Sequence, residues 1–193
     1  MRAFLLVISL TTRVGAAAAD DTSPIAHNPN SIDVFGTAFV GDGLRFNNPY
    51  RLATVLGHTA ESLSRTATYT DVGVAIAFGD PSRAASGIAL RASMALEGAP
   101  QSVLTPSYLL LRRFKDWGAA YGRAGIAITL SPDTTWGFEG AAGGIWFVRA
   151  GIGLVAEVVG DVFYGAPTRE ASEPTYPVLS GQGGLWLSWE ALP

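Results

Sequence analysis

The chain contains no cysteine, so it can form neither a disulfide framework nor a thiolate zinc site, and a lipid anchor on a cysteine behind a leader is excluded too. Lysine occurs once, at Lys115, and charged residues make up 15% of the sequence, against roughly 25% in an average soluble domain. A water-facing sheet carries many charged side chains, and this chain has too few to coat one. The formal net charge of −3 gives no basic footprint for nucleic acid, and two histidines leave little for a metal centre. No cofactor is expected either. Gly151-x-Gly153-x-x-Ala156 resembles a loose dinucleotide fingerprint, but that motif has meaning only between a strand and a helix, and here valines continue it as a strand. Beyond the N-terminal region no stretch reaches the roughly 18 apolar residues that a membrane helix requires.

The N-terminus has the parts of a secretory signal over residues 1–19. Arg2 supplies the positive charge, Ala3 to Leu10 the apolar stretch, and Ala17-Ala18-Ala19 a small-residue cleavage pattern before Asp20. Arg13 interrupts it, and a retained anchor is the alternative, but the apolar run is too short to span a bilayer. Residues 20–31 hold Pro24, His27, Asn28, Pro29 and Asn30 and read as a solvated, flexible lead-in to one domain over 32–193.

That domain divides into eight β-rich segments separated by turn chemistry: 32–41, 70–79, 85–97, 106–115, 118–130, 135–147, 150–164 and 176–190. The connections alternate in length. Long ones follow the first and seventh segments and a moderate one follows the third. Tight ones fall at 80–84, at Asp116-Trp117 and at Val148-Arg149, and Ser131–Thr134 is short where the rhythm calls for length. Long loops at one end and short turns at the other are the habit of outer-membrane barrels. The expected fold is therefore all-β: an eight-stranded antiparallel up-and-down transmembrane barrel.

Period-two alternation is plain in four segments. Val72, Val74, Ile76 and Phe78 oppose Asp71, Gly73 and Ala75; Ile88 and Leu90 oppose Gly87, Ala89 and Arg91; Ile126 and Ile128 oppose Arg123, Gly125 and Ala127; Leu154 and Val158 oppose Gly153, Glu157 and Asp161. The first and fourth segments leave their register open. Alternation does not say which face looks inward, because a lipocalin-like barrel encloses its apolar face and a membrane barrel turns it to lipid. Three features favour lipid. The polar face is mostly Gly, Ala and Ser with about one charge per strand, which suits a lumen only wide enough for side chains. Its charges have both signs, Arg91 and Arg123 against Asp71, Glu139, Glu157 and Asp161, as an ion-paired interior requires. Finally, Phe78, Trp136, Phe138, Trp146, Tyr164 and Trp189 sit near segment ends. Ten residues separate Trp136 from Trp146, which at ~3.3 Å per residue and ~40° tilt is about 25 Å, the height of an apolar band between two aromatic girdles.

The last segment carries a resemblance. Gln182, Gly184, Leu187 and Trp189 resemble the terminal-strand insertion signal of bacterial outer-membrane barrels, in which a polar residue and a Gly two positions on precede two outward apolar residues. The family's signal usually ends flush with the C-terminus, whereas here Glu190 to Pro193 follow. With the leader and the eight segments, the pattern is similar to the small OmpA-type and OmpX-type barrels. The resemblance implies insertion by the barrel-assembly machinery, contact with outer-membrane lipid, and a monomer.

The connection over 42–69 is the candidate for contact with a surface partner. Leu52, Val55 and Leu56 share a face at helical spacing and Gly57 is placed to stop a helix, giving either a cap on the barrel mouth or simply an ordered loop. His58, Glu61, Ser62 and Ser64 invite a lipid-hydrolase reading, but no Gly-x-Ser-x-Gly elbow accompanies them and proximity in a loop does not orient a base. The expectation is an outer-membrane barrel with a closed ion-paired lumen and an envelope-structural or surface-interaction role, not an enzyme. The alternatives are a secreted or periplasmic ligand-binding barrel and a lipid-modifying barrel.

Overall fold

The computed structural model describes residues 32–46, 64–80, 83–98, 100–114, 117–132, 134–149, 151–164 and 175–191. Eight long strands follow one another: β1 (Ile32–Arg45), β3 (Tyr69–Phe78), β4 (Ala85–Ala95), β5 (Ser102–Phe114), β6 (Gly118–Ser131), β7 (Thr135–Arg149), β8 (Ile152–Tyr164) and β9 (Thr175–Ala191). A two-residue strand, β2 (Ser64–Arg65), pairs with Leu44 and Arg45 at the end of β1. Each long strand lies antiparallel to its neighbours in the sequence, and β1 pairs with β9 from Ile32↔Ala191 to Arg45↔Val178. That last pairing closes the sheet, leaving no long edge whose backbone groups would go unpaired in lipid. The β3–β4, β5–β6 and β7–β8 turns lie at the same end as Ile32 and Ala191, called here the turn end, and the other connections at the loop end.

Two strands reach further than the sequence pattern suggests. The sequence pattern ends the first segment at Gly41, yet β1 continues from Asp42 to Arg45 because β9 offers Gly181, Ser180, Leu179 and Val178 as partners. Gly43 permits the approach, since a Cβ there would come within 2.4 Å of Ser180 Oγ and 2.6 Å of the Leu179 carbonyl. In β5, Pro106 looks like a strand start, but the strand begins at Ser102. Pro106 pairs with Leu90 of β4, and the β6 ladder passes from Leu104↔Ile128 to Ser107↔Gly125 without it, as a residue lacking an N–H must allow.

The strands orient themselves by their alternation. In β8, Leu154 and Val158 face outward while Val155, Glu157 and Val159 are buried. The same holds around the ring, with Val74, Ile88, Leu110, Ile126, Phe138 and Leu185 among many large apolar side chains on the outside. In the two strands of open register, Asp33, Phe35 and Phe39 of β1 and Ser107, Leu109 and Leu111 of β5 point inward. The outer surface is thus apolar and the lumen holds the charges, the reverse of a lipocalin-like barrel.

Candidate functional site

Side chains fill the lumen in levels. Toward the turn end, Phe35, Leu109, Leu111, Tyr121, Ile145, Val155 and Trp186 form an apolar layer, joined by Ala77, Ala85 and Ala119. Trp186 is its hub, with ring centroids 4.8 Å from Phe35 and 5.5 Å from Tyr121. The small residues matter here, because a narrow barrel has room for rings from some strands only where others contribute alanine or glycine. Gly184 is the sharpest case. It opposes Phe39 across the β1–β9 seam, and a Cβ would lie 1.9 Å from the Ala38 carbonyl oxygen.

Above this layer sits the ion cluster, centred on Glu157, whose side chain is fully buried. Glu157 Oε1 accepts from Arg91 Nη1, Arg123 Nη2 and Gln182 Nε2, each at 2.7 Å. Its Oε2 accepts from Arg123 Nε at 3.4 Å and from the Tyr121 hydroxyl. Arg91 also donates through Nε to Asp71 Oδ1 at 2.8 Å, and Ser93 donates to Asp71 Oδ2 at 2.7 Å. Arg123 pairs with Glu139, whose other oxygen accepts from the Thr105 hydroxyl at 3.1 Å. The Arg91 guanidinium lies over the Phe39 ring, 4.4 Å from its centroid. Two forked guanidiniums therefore bridge three carboxylates contributed by three strands, and pairing of this kind is what makes buried charge tolerable.

Five of the six expected lumen charges thus meet: Asp71, Arg91, Arg123, Glu139 and Glu157. Asp161 shares their face but stands apart, its Oδ1 buried and without a hydrogen-bond partner among the described residues. Four members escape a search for charges. Ser93 and Thr105 join through Asp71 and Glu139, and Gln182 and Tyr121 through Glu157. Their signal was positional, since each falls on the inward parity of its strand.

Asp71, Asp161, Gln182 and Arg123 also line a cavity of about 100 Å³ at the loop end, together with Arg45, Tyr69, Ser180, Val103, Phe163 and Val178. Arg45 lies over the Tyr176 ring, 5.6 Å from its centroid. On the barrel's rim, Arg65 pairs with Asp42, and Thr68 donates its amide at 3.0 Å and its hydroxyl at 2.9 Å to Glu97. Those two donors hold the Glu97 carboxyl below the usual carboxylate range.

The expected girdle residues lie at the two ends. At the loop end, Trp136 stacks on Tyr164 at 4.9 Å, and Phe138 meets both rings edge-on at 5.7 and 6.1 Å. Phe78, Trp146 and Trp189 are outward and exposed toward the turn end. In the terminal strand Gln182 faces the lumen, whereas Leu187 and Trp189 face out. Among the described residues no group of His, Asp or Glu is arranged to hold a metal ion. His58, Glu61, Ser62, the helical spacing at Leu52–Leu56 and the leader lie outside the described residues, and Ser64 is within them only as part of β2.

No known family and no curated protein matches the chain by sequence. Solved structures match it in fold. Ail, the attachment invasion locus protein of Yersinia pestis, superposes with a TM-score of 0.53 at 8% identity, over 83% of this chain and 99% of its own. The fold is that of a small outer-membrane β-barrel. The N-terminal barrel domain of Pseudomonas aeruginosa OprF has a TM-score of 0.47 at 13% identity, over 83% of this chain and 98% of its own. A de novo designed transmembrane β-barrel has a TM-score of 0.48 at 12% identity, over 84% and 98% respectively.

Proposed function

We propose that the chain is exported by its 1–19 leader and spans the bacterial outer membrane as a monomeric, non-enzymatic barrel, with an envelope-structural or surface-interaction role. The observation that carries this reading is the pairing of an apolar outer surface with a lumen crossed by the Arg91–Glu157–Arg123 cluster. Lipid rewards the first, and the second leaves ions no continuous water path in a barrel this narrow. The surface role rests on the connection between Arg45 and Tyr69, which the sequence pattern sets at 42–69 and the extension of β1 shortens, since long loops on a rigid scaffold are where contacts with other molecules are made. Insertion is expected to need the barrel-assembly machinery, with Gln182, Gly184, Leu187 and Trp189 as the recognised strand.

Three measurements test this. Separation of inner from outer membranes should place the protein in the outer fraction. The folded barrel should migrate faster on SDS gels unheated than boiled. Planar bilayers containing it should show no large, stable conductance. A mature protein that is soluble and monomeric without detergent would falsify the membrane reading, and a steady large conductance would sink the closed lumen. An activity on lipid substrates lost in His58→Ala would instead support an enzyme.

A further inference from the structure

The loop-end cavity has an unbalanced wall. Arg91 and Arg123 are shared by Asp71, Glu139 and Glu157, which leaves one negative charge over. Arg45 and Asp161 add one charge of each sign and do not remove the excess. They sit at one level, each opposite Val178 on either side of β9. Two acceptors in the wall also lack donors among the described residues: Asp161 Oδ1, and Oε1 of Gln182, a residue only 6% exposed. An uncompensated buried charge and orphaned buried acceptors each cost free energy, and one occupant that is both cationic and rich in N–H donors satisfies them together.

The rest of the wall narrows the choice. Val103, Val178 and Phe163 make one side apolar. A hard metal cation wants a shell of six or more oxygens, whereas a primary ammonium uses three acceptors and can carry a short hydrocarbon chain against that apolar side. The volume of about 100 Å³ exceeds the roughly 10–15 Å³ that a single water needs. We infer that the cavity is a binding site for a small alkylammonium group, held by Asp161 and Gln182 above the ion cluster. Arg45, whose Nε is buried without a hydrogen-bond partner among the described residues, is the internal competitor for Asp161. This goes beyond the proposed envelope role and stands on the cavity alone.

The test is NMR titration of the refolded full barrel in micelles with n-propylammonium, against sodium and tetramethylammonium at equal ionic strength. Tetramethylammonium has the charge without the donors. Saturable shifts at the Asp161 amide and the Gln182 side-chain amide are expected with propylammonium alone. Asp161→Asn should weaken binding at least about tenfold, as loss of a charged hydrogen bond does. Arg45→Gln should tighten it by removing the competitor. Heat-modifiable migration checks that each variant is folded; if Asp161→Asn is not, Arg45→Gln decides. Unsaturable shifts, an equal response to all three salts, an unchanged Kd in folded Asp161→Asn, or an unchanged or weaker Kd in Arg45→Gln would overturn the proposal.

Discussion

The two halves of the lumen are built from the same strands to opposite ends. Toward the turn end, Phe35, Leu109, Leu111, Ile145 and Trp186 interlock as the core of a soluble protein does. Toward the loop end a smaller group, Ala127, Phe163, Tyr176 and Val178, packs together with Val103, and Phe163, Val178 and Val103 border a cavity that Asp71, Arg123, Asp161 and Gln182 also line. The ion cluster on Glu157 is the boundary between them. The difference lies in side-chain choice at equivalent inward positions: the turn-end layer and the cluster fill their part of the lumen with packed and paired side chains, and the loop-end half is left with room.

The boundary is where a single change should do most harm. Glu157→Ala leaves two buried guanidiniums sharing fewer carboxylates and removes the acceptor for Tyr121 and Gln182. Loss of one partner from a buried ion pair costs about 3–5 kcal/mol, to be read as a lower urea midpoint for unfolding from lipid vesicles. An effect below about 1 kcal/mol would mean that the cluster does not close the lumen. Next comes the apolar layer. Trp186→Ala should cost about 3 kcal/mol, because the surrounding rings fill the cavity it leaves only in part. Val178→Ala, at 8% exposure nearly as buried as Trp186 at 2%, should cost about 1 kcal/mol or less, since its neighbours already border open space. Equal costs at the two sites would erase the distinction between the halves.

The smallest effect belongs to the rim. The Glu97 carboxyl is held below 4.5 by the Thr68 amide and hydroxyl. A carboxyl depressed in the folded state contributes in full above its unfolded value and loses that contribution as pH falls through the folded one. Protection of the amides around Thr68, measured relative to the intrinsic exchange rate at each pH, should therefore be lower below about pH 4 than at pH 6, and Glu97→Gln should remove the difference. Unchanged protection across that range would show that the contact does not order the rim.

How far the residues disclosed this arrangement depended on the kind of signal. The strands of β6, β7 and β8 were legible nearly to their ends, because strict alternation is imposed by two contrasting solvents. β2 was not, being two residues paired to an extension of β1 that itself exists only because β9 lies alongside. Among lumen charges, parity along the strand sufficed to place Asp71, Arg91, Arg123, Glu139 and Glu157 on one face, but not to pair them. That Asp161 stands outside the pairs while neutral Gln182 and Tyr121 stand inside follows from levels along the axis, which depend on registers such as Gln182↔Glu157. The outer girdles were readable at Trp136, Phe138 and Tyr164 because aromatic position along a strand maps directly onto depth.

All of this rests on the apolar face meeting lipid, and a cysteine-free chain allows a direct test. Single nitroxide labels on cysteines introduced in β8 at Leu154 and Val158, and at Val155 and Val159, can be compared by electron paramagnetic resonance in liposomes. The barrel described here predicts ready collision of oxygen with the labels at 154 and 158, little access for a water-soluble nickel chelate there, and poor access for both reagents at 155 and 159. Nickel access at 154 and 158 equal to that of a fully hydrated label would contradict it, and would mean that these strands close around something other than the lumen described.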